Sequence, residues 1–324
     1  MHPHVQTSYR PHLKSFFFRR KMTPTTNHSN LKNWGLLVVL ALIWGSSFIL
    51  IKRGLEVFSP GEVGAYRIVA AATFLLPLSL PRIKTLTSEQ AQNLILIGLL
   101  GSFIPAFLFP TAQTRLSSSL TGVLNALTPL FVVIIGALFF KSKITRRNAL
   151  GLVIAFVGVL ILITLKEGSG LDSFTGINGY AFFVILACIC YGFNLHLIKS
   201  RFDSLKSIEI TAISLLMVLP LALVYLMAGT EFSYKLVTHD GALRALGFVT
   251  LLGVMGTAIA LILFNNMVKT ASPIFASSVT YLIPVVAIFW GVLDGEVLLF
   301  GHYLGIAAVI LGVWVGNRKK IIQG

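Results

Sequence analysis

Two stretches decide the fold. The first is Leu124-Asn125-Ala126-Leu127-Thr128-Pro129-Leu130, followed by Gly136; the second is Val279-Thr280-Tyr281-Leu282-Ile283-Pro284-Val285, followed by Gly291. In both, the proline precedes an apolar run and then a second apolar helix. That helix carries Gly151 and Gly158 in the first copy and Gly305 and Gly312 in the second. The likeness extends upstream. Gly98-x-x-Gly101 matches Gly253-x-x-Gly256, and Trp44-Gly45 with Lys52 matches Tyr191-Gly192 with Lys199. The chain is written twice.

It is also written for a membrane. Hydrophobic residues make up 56% of the chain and charged residues 11%, with a mean hydropathy of +0.86. A soluble domain carries about twice that charged fraction. Apolar stretches recur that are long enough to cross a hydrocarbon core of about 30 Å. No short segments alternate with period two, as a barrel requires. The expected fold is an all-α integral membrane protein of ten transmembrane helices. In the first half they cover 34–51, 62–80, 92–111, 118–140 and 149–165. In the second they cover 176–197, 209–228, 243–264, 273–293 and 302–317.

The net charge of +15 is unevenly placed. With ten crossings, nineteen Lys and Arg fall on the side of the two termini, six on the other, and Arg67 within a span. This bias puts both termini in the cytoplasm. The basic residues orient helices beside anionic headgroups, and nothing further supports a nucleic-acid partner. Five spans per half is an odd number, so the second half enters from the opposite side. The repeat, 34–165 and 176–317, is therefore expected to be inverted about an axis in the membrane plane. Such 5+5 pairs, with a site between the halves, are the plan of secondary transporters.

Residues 1–33 read as a disordered basic cytoplasmic tail. Phe16-Phe17-Phe18 is too short for a signal-peptide core, and Met22 is an alternative start that leaves the topology unchanged. The connections 165–176 and 229–242 read as solvated linkers.

Catalysis finds little support. The eleven acids fall in loops or at span ends, there is no Walker motif, and no His pair has metal-ligand spacing within a span. His196 reads as a capping or snorkelling residue. Cys188 and Cys190, two apart on a helix, face different directions and read as small buried residues. No catalytic residue, metal or cofactor is expected.

Polar groups inside spans must find partners or line a watery cavity. Candidates are Trp44 with Ser46 and Ser47, Gln113 and Thr114, Asn125 and Thr128, Tyr191 and Asn194, Thr257, Asn265 and Asn266, and Thr280 and Tyr281. For any one Ser or Thr, interhelical hydrogen bonding is the simpler account. Trp44, Asn125, Tyr191, Thr280 and Tyr281 sit at related depths in both copies, so a shared cavity lining stands beside that account. The substrate-binding candidates are these five with Ser47, Thr128 and Asn194. Pro129 and Pro284 are expected to kink their helices and free carbonyls. The paired glycines are expected to mark close helix packing. Arg67 is expected to snorkel or to pair internally, for example with Glu62; an anionic substrate group is the functional alternative.

These residues resemble a known family. Trp44-Gly45-Ser46-Ser47-Phe48, Arg67-x-x-x-Ala71, Leu127-Thr128-Pro129-Leu130 and Gly151-(x6)-Gly158 resemble an EamA domain. Leu282-Ile283-Pro284-Val285, Gly295-Glu296 and Gly305-(x6)-Gly312 resemble a second. From about residue 34 to 317 the chain is similar to the drug/metabolite transporter superfamily. The resemblance implies a ten-helix inverted repeat with a central cavity, carrying amino acids or related metabolites, often outward. Glu296 follows the ninth span as the family pattern has it, whereas Lys141 stands in that place after the fourth.

The leading expectation is a secondary carrier of a small metabolite working by alternating access in the cell membrane. A nucleotide-sugar or sugar-phosphate exchanger ranks lower, because only Arg67 could meet a phosphate inside the membrane. A scaffold or intramembrane enzyme ranks lower still. The expected partners are a small-molecule substrate and membrane lipids; a homodimer stays open.

Overall fold

The computed structural model describes residues 27–84, 86–142, 145–164, 179–201, 205–270 and 276–317. Most of the expected tail and all of the 165–176 connection lie outside the described residues. Among the described residues every regular element is helical. The helices are α1 (Asn27–Leu55), α2 (Pro60–Ile83), α3 (Ser88–Gln113), α4 (Ser118–Phe139) and α5 (Arg146–Thr164). They continue with α6 (Ala181–Arg201), α7 (Ser207–Ala228), α8 (Ala242–Thr270), α9 (a 3-10 turn Ser278–Tyr281, then Ile283–Leu293) and α10 (Phe300–Asn317). A short surface helix, Phe232–Thr238, sits between α7 and α8. Seven helices, α1–α4 and α6–α8, are long and apolar enough to cross a membrane; α9 and α10 are shorter apolar helices. Large apolar side chains such as Phe139, Phe156, Val224, Val285 and Phe289 face outward, as a lipid-facing surface requires.

Local chemistry fixes the helix starts. Ser59 and Glu62 form a capping box on α2, with Pro60 at the first helical position. Thr87 and Gln90 do the same for α3, and Ser117 caps α4. Glu209 returns to the Lys206 backbone N–H at 2.9 Å at the start of α7.

Both repeats break at matching places. α4 interrupts its bonding at Ala126 and Leu127, just before Pro129. α9 takes a 3-10 turn just before Pro284. In α3 a π-helical turn spans Leu99–Phe103, and in α8 one spans Leu252–Ile259. These turns contain Gly101 and the Gly253/Gly256 pair. Each π turn offsets the ladder by one residue and leaves carbonyls off the regular pattern.

The helices pack as mates. α2 lies against α7, and α5 against α10. α1 contacts α8 and the second part of α9, while α6 contacts α3 and the second part of α4. The α5–α10 seam is glycine-lined. A Cβ on Gly151 would sit 2.4 Å from the Gly312 carbonyl oxygen, and one on Gly312 would sit 2.3 Å from the Ala155 nitrogen. Backbone touches backbone there, as the glycine spacing predicts.

The reading of Lys141 is corrected. Lys141 has φ +55° and Gly295 has φ +83°, each two residues past the last residue of its helix. Ser142 N–H donates to the Gly136 carbonyl at 2.9 Å, as Glu296 N–H donates to Gly291 at 2.9 Å. Lys141 is thus the structural mate of Gly295, and Ser142 stands where Glu296 does.

Candidate functional site

The helix breaks converge on one cavity between the halves. Its empty volume is about 840 Å³, the open mouth included. The lining is built from repeat mates. Trp44 and Tyr191, Ser47 and Asn194, and Phe48 and Leu195 come from α1 and α6. Gly101 and Gly256, Ser102 and Thr257, and Phe109 come from α3 and α8, where Phe264 is the mate of Phe109. Asn125 and Thr128 of α4 face Thr280 and Ile283 of α9.

Seven of the eight sequence candidates meet here: Trp44, Ser47, Asn125, Thr128, Tyr191, Asn194 and Thr280. Tyr281 is not in the lining; it packs against the apolar core beside α4 and α6. The reason is the 3-10 turn. With three residues per turn, Ser277, Thr280 and Ile283 share one face and Tyr281 points about 120° away.

The aromatic walls are also mates. Trp44 meets Phe264 edge-on with centroids 4.9 Å apart, and Tyr191 stacks on Phe109 at 6.1 Å. Trp44 Nε1–H donates to the Gly256 carbonyl at 2.9 Å, a group presented by the α8 π turn. Both glycines are closely approached by side chains: a Cβ on Gly256 would lie 2.8 Å from Ser47 Oγ, and one on Gly101 would lie 2.5 Å from the Asn194 side chain.

The polar groups are unequally satisfied. Ser47 Oγ donates to the Ile43 carbonyl at 3.0 Å. Its mate Asn194 has a buried Oδ1 with no partner among the described residues. Thr128 Oγ1 donates to the Asn125 carbonyl at 2.8 Å, and Thr280 Oγ1 to Ser277 at 2.8 Å. The first of these bonds satisfies a carbonyl whose helical N–H donor Pro129 removes.

Arg67 departs from part of its sequence reading. It neither snorkels nor pairs with Glu62. Glu62 is buried and bonded to Lys235 Nζ at 2.7 Å. Arg67 instead lines the cavity, with Nε donating to Thr257 Oγ1 at 2.6 Å. Sequence reasoning also passed over Ser102, Phe109, Phe264 and Ser277. The first three were reachable by carrying the Gly98/Gly253 match forward along the repeat. Other candidates prove structural. Asn265 Nδ2 bonds Thr211 Oγ1 at 2.9 Å, Gln113 Nε2 bonds the Phe48 carbonyl at 2.9 Å, and His196 Nε2 meets the Val132 carbonyl at 2.8 Å. Cys188 and Cys190 are free and buried.

Outside the cavity lining, Glu296 ties α9 to α4 and α1. Its carboxylate accepts from the backbone N–H groups of Ser118 (2.9 Å) and Ser119 (3.0 Å), from Ser119 Oγ (2.7 Å) and from Lys52 Nζ (3.2 Å). It occupies the N-terminus of α4, where donors are free and the helix dipole favours an anion. Burial alone would raise the Glu296 carboxyl, but the Ser119 and Ser118 hydrogen bonds and Lys52 hold it below the usual carboxylate range. Asp294 adds ion pairs to Lys52 at 2.6 Å and to Arg53.

A cavity between two half-chains with broken helices is what carrier proteins share, and comparison with known proteins agrees. The EamA-like transporter family matches twice, over residues 33–164 and 178–318. The chain belongs to this family. An Archaeoglobus fulgidus protein named an uncharacterized transporter is 24% identical over 90% of this chain and its own whole length. The uncharacterized inner membrane transporter YedA of Escherichia coli is 27% identical over 89% of the chain and 92% of its own. A Chlamydia trachomatis protein named an S-adenosylmethionine/S-adenosylhomocysteine transporter is 24% identical over 89% and 90%. A solved crystal structure superposes with a TM-score of 0.58 at 15% identity, over 88% of this chain and 96% of that one; it supports the fold alone. This EamA-family chain is a multi-pass membrane transporter.

Proposed function

We propose that this EamA protein is a secondary carrier that moves an amino acid or related small metabolite outward by alternating access, without catalysis. Its ten crossings form two inverted five-helix repeats, 34–165 and 176–317, in the cell membrane, with both termini cytoplasmic. The observation that carries the reading is the cavity lining: mates from both halves surround one space at the helix breaks. Two observations support the ten crossings. Lys52, Ser118 and Glu296, assigned to one side by the charge bias, meet in one cluster. Arg82 with Glu209 at 2.9 Å and Arg201 with Glu89 at 3.3 Å join connections assigned to the other. Both compounds in the chlamydial relative's name are amino acids bearing an aromatic base, a class that fits aromatic walls.

Counterflow of radiolabelled amino acids into proteoliposomes tests the reading. Uptake driven by unlabelled internal substrate is expected, and Asn125→Leu should depress it while membrane abundance holds. Parallel loss of abundance and uptake would reduce Asn125 to helix packing. A topology reporter after Gly324 that is active only outside would overturn the orientation and with it the inversion.

A further inference from the structure

The cavity is close to symmetric in its walls and asymmetric in its charge. Among the described residues Arg67 is the one cation in its lining, and no carboxylate lines it. Among the described residues Arg67 has no ion pair. Its single hydrogen bond, Nε to Thr257, uses the inner edge of the guanidinium fork. Both terminal amino groups remain without a protein acceptor among the described residues. The second half shows that this is not a requirement of the fold. Ser59 with Glu62 and Lys206 with Glu209 are matching helix starts, so Arg67 and Ser214 are mates. Ser214 makes a local bond to the Thr211 carbonyl at 3.1 Å. A cation between membrane helices without a counter-ion is costly and tends to be functional.

Resting on the carrier reading above, we infer that Arg67 holds a carboxylate of the carried compound, so the cavity selects small monocarboxylates with an apolar or aromatic body. The two free amino groups of a guanidinium match the two oxygens of a carboxylate. Thr257 holds the fork in place. A phosphate monoester, largely dianionic, calls for more than one cation, and the lining supplies one. The ligand's body lies against the Trp44/Phe264 and Tyr191/Phe109 pairs. Asn194 Oδ1, buried and without a partner, accepts an N–H of the ligand, which suits an α-amino acid.

Three indole probes isolate the carboxylate: indole-3-propionate, tryptophan and tryptamine. Leucine and phenylacetate widen the carboxylate set. Binding is read on the purified full chain by thermal stabilisation and calorimetry. Carboxylates are expected to stabilise the protein, and tryptamine is not. Arg67→Gln should weaken carboxylate binding about tenfold or more, Arg67→Lys should restore part of it, and Thr257→Val should fall between. Stabilisation by tryptamine equal to that by tryptophan would overturn the inference. So would wild-type carboxylate affinity in folded Arg67→Gln, or no effect of any carboxylate on the wild type. Should Arg67→Gln not fold, wild-type affinity in both Arg67→Lys and Thr257→Val overturns it. Counterflow separates the two claims. Arg67-dependent binding without transport sinks the carrier and keeps the subsite. Carboxylate transport unchanged by Arg67→Gln sinks the subsite and keeps the carrier.

Discussion

The two halves of this chain share a scaffold and differ in where they place charge. Trp44–Phe264 and Tyr191–Phe109 are matched pairs, one edge-on and the other stacked. The π turns of α3 and α8 and the breaks of α4 and α9 are matched as well. Against this background two positions differ. Arg67 faces the cavity where its mate Ser214 bonds its own helix. Glu296 anchors the start of α4 and Lys52 where its mate is Ser142, a neutral side chain. Shared features lie where backbones pack and geometry leaves no choice. Differences lie where a side chain has room, so each half can be specialised without disturbing the fold.

The largest effects should come from breaking the shared part. Replacing Gly151 or Gly312 by Leu should collapse membrane abundance, since a Cβ alone meets backbone at 2.4 or 2.3 Å. Even Ala there should cost about 1–3 kcal/mol through overpacking, read as a lower melting temperature in detergent. If Gly312→Leu accumulated and melted like the wild type, the α5–α10 seam would not be the tight contact described.

Next comes the charged difference. Glu296→Gln should destabilise the protein by about 2 kcal/mol, because the α4 N-terminus and Lys52 lose an ionised acceptor. Ser142→Ala at the mate position should change little. Equal effects at both would mean that the clasp is not one-sided.

That difference has a pH signature. Glu296 titrates below the usual carboxylate range in the folded state. Its contribution is therefore complete above the unfolded value of about 4.3 and is lost as pH falls through the lower folded value. The melting temperature of the wild type should fall more steeply over that acid range than that of Glu296→Gln. Parallel curves would assign the acid sensitivity to other groups.

The smallest effect sharpens the cavity boundary. Thr280→Val should reduce transport several-fold by removing the hydroxyl that ties off the Ser277 carbonyl. Tyr281→Phe, one residue along but turned into the core, should leave transport within about twofold of wild type. A transport defect in Tyr281→Phe matching that of Thr280→Val would return Tyr281 to the cavity.

Much of this was legible in the sequence, and the reasons are local. Apolar length sets which segments enter a membrane. Pro129 and Pro284 remove a backbone donor at a fixed place, so the breaks in α4 and α9 follow from residue type. Gly151, Gly158, Gly305 and Gly312 announce close packing because only glycine lets backbones touch. Polar residues at matching depths therefore pointed toward one space, and seven of the eight candidates line it.

What the tertiary structure decided is which way each side chain turns. A π turn in α8 gives Trp44 a carbonyl to bond, and a 3-10 turn in α9 brings Thr280 inward and sends Tyr281 away. Pro284 marks where α9 breaks, but neither the 3-10 form of that turn nor the π turn of α8 is written in propensity. For Arg67 the sequence left snorkelling, an internal pair and an anionic substrate group side by side, because its depth is all that sequence shows. Its azimuth on α2 is fixed by the α2–α7 and α2–α8 contacts, and that rotation places the guanidinium in the cavity. The exchange of Lys141 for Ser142 as the mate of Glu296 has the same origin. Both copies pass through a left-handed residue, Lys141 and Gly295, but it lies five residues after Gly136 and four after Gly291, so the register slips by one only past the helix end.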